Sequence, residues 1–237
     1  MKHTLAQFSR LFYKDLSLQW RSRGAMAVAL LFSLTAVMLF ALVYGPFFSP
    51  PELPMEARRR ELAKLASSIY WTAAAFAGVV AIYRSAEADR EAGGIKAVRM
   101  DADGSVIYAA RMCALSVMLC LTQLALGLLT AAFFDISWLT LGDVLRLIGV
   151  GAAASVGLGA VGALMGAMAA SMRGGEGLLS AGMLPLQLPL LMAASKCAAP
   201  IWASEPIQEK AWIALLVAYA LIMSAVGLLL FEVVLED

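Results

Sequence analysis

The sequence predicts an all-α polytopic membrane protein with six transmembrane helices, an N-terminal amphipathic interfacial helix and a charged cytoplasmic segment between spans two and three. Three observations carry that expectation. Hydrophobic residues make up 62% of the 237-residue chain and charged residues only 15%, a balance too apolar for a soluble globular domain. The apolar residues gather in long runs, of which Ala25–Val43 is the cleanest, without charge or proline. A bilayer core about 30 Å thick is crossed by roughly 20 such residues in a helix, because backbone in hydrocarbon must satisfy its own hydrogen bonds. Finally, the segments between runs are too short to enclose a core of their own. Residues 1–237 therefore form a single membrane domain, with spans at about 25–43, 66–83, 112–134, 147–172, 177–195 and 211–231.

Before the first span, Leu5, Phe8, Phe12, Leu16 and Trp20 recur at steps of three and four, with Arg10, Lys14 and Arg21 elsewhere. This pattern predicts a helix lying along the interface, its basic residues near anionic headgroups; a plain stem of the first span fits equally well. The first run exceeds a signal-peptide core and has no evident cleavage site, so it reads as a mature span. Gly45, Pro46, Pro50, Pro51 and Pro54 then break any helix. The charged stretch Met55–Lys64 predicts a short surface helix ahead of span two. After that span, Arg84, Glu87, Asp89, Arg90 and Glu91 precede Gly93, Gly94, Ile95, Val98 and Met100. A charged extension of span two, a glycine break and a second short helix would suit this order, a solvated loop being the plain alternative. Asp103-Gly104 marks a turn before span three.

Gln123 is the one strongly polar residue near the middle of span three, and an interhelical hydrogen bond would account for it. In span four, Ser155, Gly159, Ala163 and Ala167 fall four apart, and Gly162 and Gly166 form a second row. Small side chains let helices approach closely in a membrane, either within a subunit or between two. Met165, Met168 and Met172 lack a cysteine or histidine partner and read as packing rather than a copper stripe. In span five, Pro185 and Pro189 deprive the carbonyls of Ala181 and Pro185 of helical donors and predict a kink.

Lysine and arginine set the orientation. Eleven of them (Lys2, Arg10, Lys14, Arg21, Arg23, Arg84, Arg90, Lys96, Arg99, Arg111, Arg173) fall on one side of the six-span arrangement, and seven (Arg58, Arg59, Arg60, Lys64, Arg146, Lys196, Lys210) on the other. The asymmetry puts both termini in the cytoplasm. Catalytic chemistry is missing from the pattern. No Gly-x-x-x-x-Gly-Lys-Ser/Thr occurs, so the chain is expected not to hydrolyse ATP. The sole histidine, His3, lies in a terminus expected to fray, and no acid stands in mid-membrane. Cys113, Cys120 and Cys197 read as small packing residues, and no metal site is expected.

The stretch Arg173-Gly-Gly-Glu-Gly-Leu-Leu-Ser-Ala-Gly-Met-Leu-Pro-Leu-Gln-Leu-Pro-Leu-Leu resembles the signature of the haem exporter protein B (CcmB) family: an Arg-Gly-Gly turn, Leu-Leu-Ser, then Leu-Pro-Leu-x-x-Pro. Ile69-Tyr-Trp-Thr-Ala-Ala resembles its Ile-x-Trp-x-Ala-Ala, and Arg84, Asp89, Gly93 and Ile95 match scattered positions of its cytoplasmic loop. Tyr83 stands where that family carries a glutamate, and Asp101-Ala-Asp-Gly-Ser replaces its prolines. The resemblance implies a permease subunit of an ABC-type complex for cytochrome c maturation in the bacterial inner membrane. Such subunits form homodimers with two cytoplasmic ATPase subunits, and work with a haem-handling membrane protein and a periplasmic haem chaperone. It implies ATP on the partner, haem as candidate substrate and no cofactor on this chain. Arg84–Met100 would be the coupling surface, and Arg173, Gly174, Gly175, Pro185 and Pro189 the family motif. An export permease for lipid or drug, and a membrane scaffold without a transport cycle, are the other readings the pattern admits.

Overall fold

In a computed structural model the chain is described over residues 2–21, 23–44, 54–91, 103–171, 175–208 and 210–236. Every regular element among them is a helix: α1 (Lys2–Arg21), α2 (Arg23–Tyr44), α3 (Met55–Glu91), α4 (Gly104–Phe133), α5 (Leu141–Ser171), α6 (Gly175–Trp202) and α7 (Lys210–Glu236). By length and composition, α3 to α7 each hold a segment able to cross a membrane, while the described apolar part of α2, Leu30–Tyr44, is shorter. Six spans were expected; five of that length are found among the described residues.

Helix α5 lies at the centre, against α3, α4, α6 and α7. Its small residues explain that place. Ala154, Ala160, Ala163 and Ala167 are fully buried. A Cβ at Gly159 would lie 3.0 Å from the Met112 carbonyl of α4, and one at Gly162 would lie 2.5 Å from Ile82 of α3. Gly166 faces Ala86 of α3, and Ser155 is buried. The two small-residue rows thus meet neighbours within one chain.

Several expectations need correction. Met55–Lys64 is no separate surface helix, because α3 runs unbroken for 37 residues. The stretch holds no proline, and Leu62 and Ala63 already pack into the core. At 1.5 Å per residue α3 is about 55 Å long, well beyond a bilayer core. Asp103-Gly104 is not a free turn: Asp103 is the N-cap of α4 and Gly104 its first residue. The backbone is helical from Lys2. Helix α1 packs chiefly on α4, and Phe8, Phe12 and Leu16 of the sequence stripe are half-buried. Leu5 and Trp20 stay more than half exposed, whereas Leu11 packs towards the core and Asp15 pairs with Arg111 at 4.0 Å.

Helix α6 continues through Pro185, Pro189 and Pro200. Tyr219 of α7 donates its hydroxyl to the Leu186 carbonyl between the first two prolines. Other hydroxyls tie helices in the same way: Ser33 to the Ala73 carbonyl, Ser67 to that of Ser195 and Tyr70 to that of Gln123. Cys197 is buried and Cys113 and Cys120 half-buried, all free.

Candidate functional site

The antiparallel course of the helices gives the bundle two ends of different character. At one end lie the end of α3, the starts of α4 and α6, the end of α5, and α1. Here α3 carries Arg84 and Glu87, whose side chains meet at 2.8 Å and are both exposed. An exposed pair of this kind contributes only about 0–1 kcal/mol, so it does not hold α3 in place. Packing does. Ile82 fills the space over Gly162, and Ala86 is buried one turn further along, over Gly166. Since no Cβ separates the backbones at those glycines, the last turns of α3 seat firmly on α5. Asp89, Arg90 and Glu91 complete the final helical turn, and their side chains lie outside the described residues. Gly93, Gly94, Ile95 and Val98 also lie outside them, with the expected second short helix. Arg111, 7% exposed, joins this end to α1 through Asp15.

The other end is held by the connections 134–140 and 203–208. Thr140 and Asp143 form a reciprocal cap at the start of α5. The Thr140 amide donates to Asp143 Oδ2 at 3.1 Å, and the Asp143 amide donates to Thr140 Oγ1 at 3.3 Å. Ser204 Oγ donates to the same Oδ2 at 2.5 Å, tying the second connection to the first. Ser204 has φ of 60° and Asp135 has φ of 53°, left-handed conformations that short polar side chains tolerate better than most. Arg60 meets Glu205 at 2.6 Å, Arg59 lies over the Trp138 ring, and Trp138 Nε1 donates to the Trp202 carbonyl. Sequence reasoning missed this network. The signal available was Thr140-Leu-Gly-Asp143, which has capping-box spacing with aspartate in the acidic position.

Gln123 also departs from expectation. Its side chain is buried, yet neither amide atom has a hydrogen-bond partner among the described residues. The bond found there belongs to its backbone carbonyl, which accepts from Tyr70.

No group of three or more His, Cys, Asp or Glu able to hold a metal occurs among the described residues. Helix α3 runs unbroken from the bonded end at Arg59 and Arg60 to the charged end at Arg84 and Glu87.

The family model described as CcmB protein matches residues 6–234. The chain belongs to the CcmB family. Its family is the permease component of a haem exporter of cytochrome c maturation, a membrane complex with other subunits. None of the curated proteins is significantly similar to the chain. Of the CcmB signature, Arg173 and Gly174 lie outside the described residues, Gly175 opens α6, and Pro185 and Pro189 stand within it. Ile69, Tyr70 and Trp71 are buried in α3.

Proposed function

We propose that this chain is the membrane permease subunit of an ABC-type complex in a bacterial inner membrane, with six spans and both termini cytoplasmic. It couples ATP hydrolysis on a separate partner subunit to haem handling or to release of the haem-loaded periplasmic chaperone. Two copies pair within the complex, and the chain itself neither hydrolyses ATP nor holds a cofactor. Membership of the CcmB family over residues 6–234 is the observation that carries this reading.

Physical arguments support the coupling role. A soluble ATPase can move groups in the bilayer only through a rigid surface joined directly to the spans. Helix α3 reaches Glu91 without a break and is seated on α5 by Ile82 and Ala86. The charges of Glu87, Asp89, Arg90 and Glu91 offer complementarity to a partner, and Ile95 and Val98 an apolar anchor. With His3 as the only histidine, no imidazole stands within the spans to ligate haem. That favours transmission of motion over direct haem ligation by this chain.

The test is complementation of a deletion strain. Loss of the chain should abolish c-type cytochromes detected by haem staining while haem synthesis continues, and the wild-type chain should restore them. The variant D89K/E91K/I95D should insert normally but fail to co-purify the ATPase, since Ile95→Asp buries an unpaired charge in the contact. Normal cytochrome c in the deletion strain without a paralogue would remove the assignment. Undiminished ATPase recovery in the triple variant would place docking elsewhere.

A further inference from the structure

A groove of about 430 Å³ lies where α3 begins and α6 ends, close to the start of α7. Its floor is apolar, with Ile207 of the 203–208 connection and the half-buried Trp212 of α7. Its rim is basic. Arg60 and Lys64 of α3 and Lys196 of α6 all line it, and Glu205 is the one carboxylate among the described lining residues. The groove stands at the level of the membrane surface. It adjoins the end of Gly182–Trp202, the segment of α6 able to cross a bilayer, and the start of Lys210–Glu232, the corresponding segment of α7. Tryptophan favours that level, where its ring meets both lipid and water.

The rim cations are open to a further partner. Arg60 bonds to Glu205 through Nε alone, at 2.6 Å, so its two terminal nitrogens still offer donors. Lys64 pairs with Glu61 at 2.9 Å, and both side chains are well exposed; a pair of that kind is weak and exchanges readily. Lys196 makes no hydrogen bond or ion pair among the described residues. It also stands six residues before the end of the α6 span, about 9 Å along the helix axis. An ammonium at that depth is costly in hydrocarbon unless it reaches up to the surface or meets an anion. Here it lines the groove shared with Arg60 and Lys64.

These groups call for an anion, and the surroundings choose which one. Counting Glu61 with the lining residues, the three cations Arg60, Lys64 and Lys196 face two carboxylates, a net charge of +1. A phosphate monoester or diester neutralises that charge, whereas a zwitterionic headgroup brings a further cation among three. Below the rim the surface faces lipid. Leu188 and Met192 precede Lys196 at steps of four on α6 and are 62% and 54% exposed. Residues four apart share a helix face, so a chain lying along Leu188 and Met192 brings its headgroup to Lys196. A soluble anion or an acidic peptide makes no use of that stripe. We propose that the groove binds an anionic phospholipid, its phosphate held by Arg60, Lys64 and Lys196 and one acyl chain laid along Met192 and Leu188. Basic pockets between membrane helices suit such headgroups. The bound lipid bridges α3 and α6 beside the start of α7, at the same end of the bundle as the Asp143 cap. The inference rests on the spans and is independent of the coupling role.

The experiment uses the full chain, delipidated in mild detergent. Dioleoylphosphatidylglycerol is titrated in and bound lipid is counted by native mass spectrometry, with dioleoylphosphatidylethanolamine and glycerol 3-phosphate as competitors. The wild-type chain should bind phosphatidylglycerol saturably. K64Q/K196Q should fold normally, since both side chains are exposed, and should lose affinity roughly fivefold for each lysine removed. K64R/K196R keeps the charge and should keep the affinity. R146Q/K210Q removes two exposed cations from the same end but outside the groove, and should bind as the wild type does. That pattern supports the proposal. Equal binding of phosphatidylethanolamine overturns it, and so does unchanged affinity in K64Q/K196Q. An equal loss in R146Q/K210Q would mark a diffuse surface charge and overturn the groove as the site. Displacement of the lipid by glycerol 3-phosphate at the lipid's own concentration would make this a site for a soluble anion, against the proposal.

Discussion

Gly227→Ala should destabilise the bundle, although alanine is the better helix former. Gly227 of α7 faces Tyr108 of α4. A Cβ there would come within 2.6 Å of Tyr108 Cε2 and closer still to Cζ and the hydroxyl. The ring cannot swing away easily. Tyr108 is fully buried, tilted against Phe231 at 5.4 Å, and shares its hydroxyl between the carbonyls of Ala160 at 3.2 Å and Met223 at 3.4 Å. Overpacking one methyl into such a site costs about 1–3 kcal/mol. Losing the interhelical hydrogen bond adds about 0.6 kcal/mol, and the gain in helix propensity offsets about 1 kcal/mol. The net is a loss of about 0.6–2.6 kcal/mol. At about 2–4 °C per kcal/mol for a chain of this size, Tm should fall by about 1–10 °C. The assay is loss of the monodisperse peak on heating in mild detergent. A double variant with Tyr108→Leu makes the test specific. Removing the ring removes the clash, so the two substitutions should be non-additive by about 1 kcal/mol or more. An unchanged Tm for Gly227→Ala, or strict additivity, would refute the reasoning.

Two more outcomes follow from the bundle's ends. Reporter fusions after Asp237 and within Pro50–Pro54 should report opposite sides of the membrane, as six spans and the lysine and arginine asymmetry require; the same side for both would break that topology. Asp143→Ala removes the cap of α5 together with its bond to Ser204, a cost of about 1–3 kcal/mol. Heating and limited proteolysis at 203–208 should show lower stability and faster cleavage, with Asp143→Asn intermediate; wild-type behaviour of the alanine variant would mean that the cap is not holding this end.

The parts of the fold legible in the sequence are those governed by one-dimensional rules. Apolar run length placed the helices of α4 to α7, and four-residue spacing of small residues identified the face of α5 that meets α3 and α4. The extension of α3 to Glu91 was one of two readings the sequence left open, the other being a solvated loop, since charged residues at the end of an apolar run suit either. The misses share a different cause. Whether Met55–Lys64 lies on a surface or continues α3 depends on what covers Leu62 and Ala63, which no local pattern reveals. The pairing of Asp15 on the inward side of α1 depends on Arg111, nearly a hundred residues away; the stripe of Leu5, Phe8, Phe12, Leu16 and Trp20 supplies the half-buried Phe8, Phe12 and Leu16 but cannot reveal that charge. Gln123 is the sharpest case. A glutamine in an apolar run implies a hydrogen bond, because leaving the amide unsatisfied in hydrocarbon is costly. The rule is sound for a helix surrounded by other helices. It does not fix which group makes the bond: here the amide is buried against the bare backbone of Gly151, and the hydrogen bond is accepted by the Gln123 backbone carbonyl instead. Glycine in such a span reads as close packing from sequence. Here the same absence of side chain gives close contact with Ile82 at Gly162 and room for a Cβ at Gly127, 3.8 Å from Tyr70, and only the third dimension separates the two.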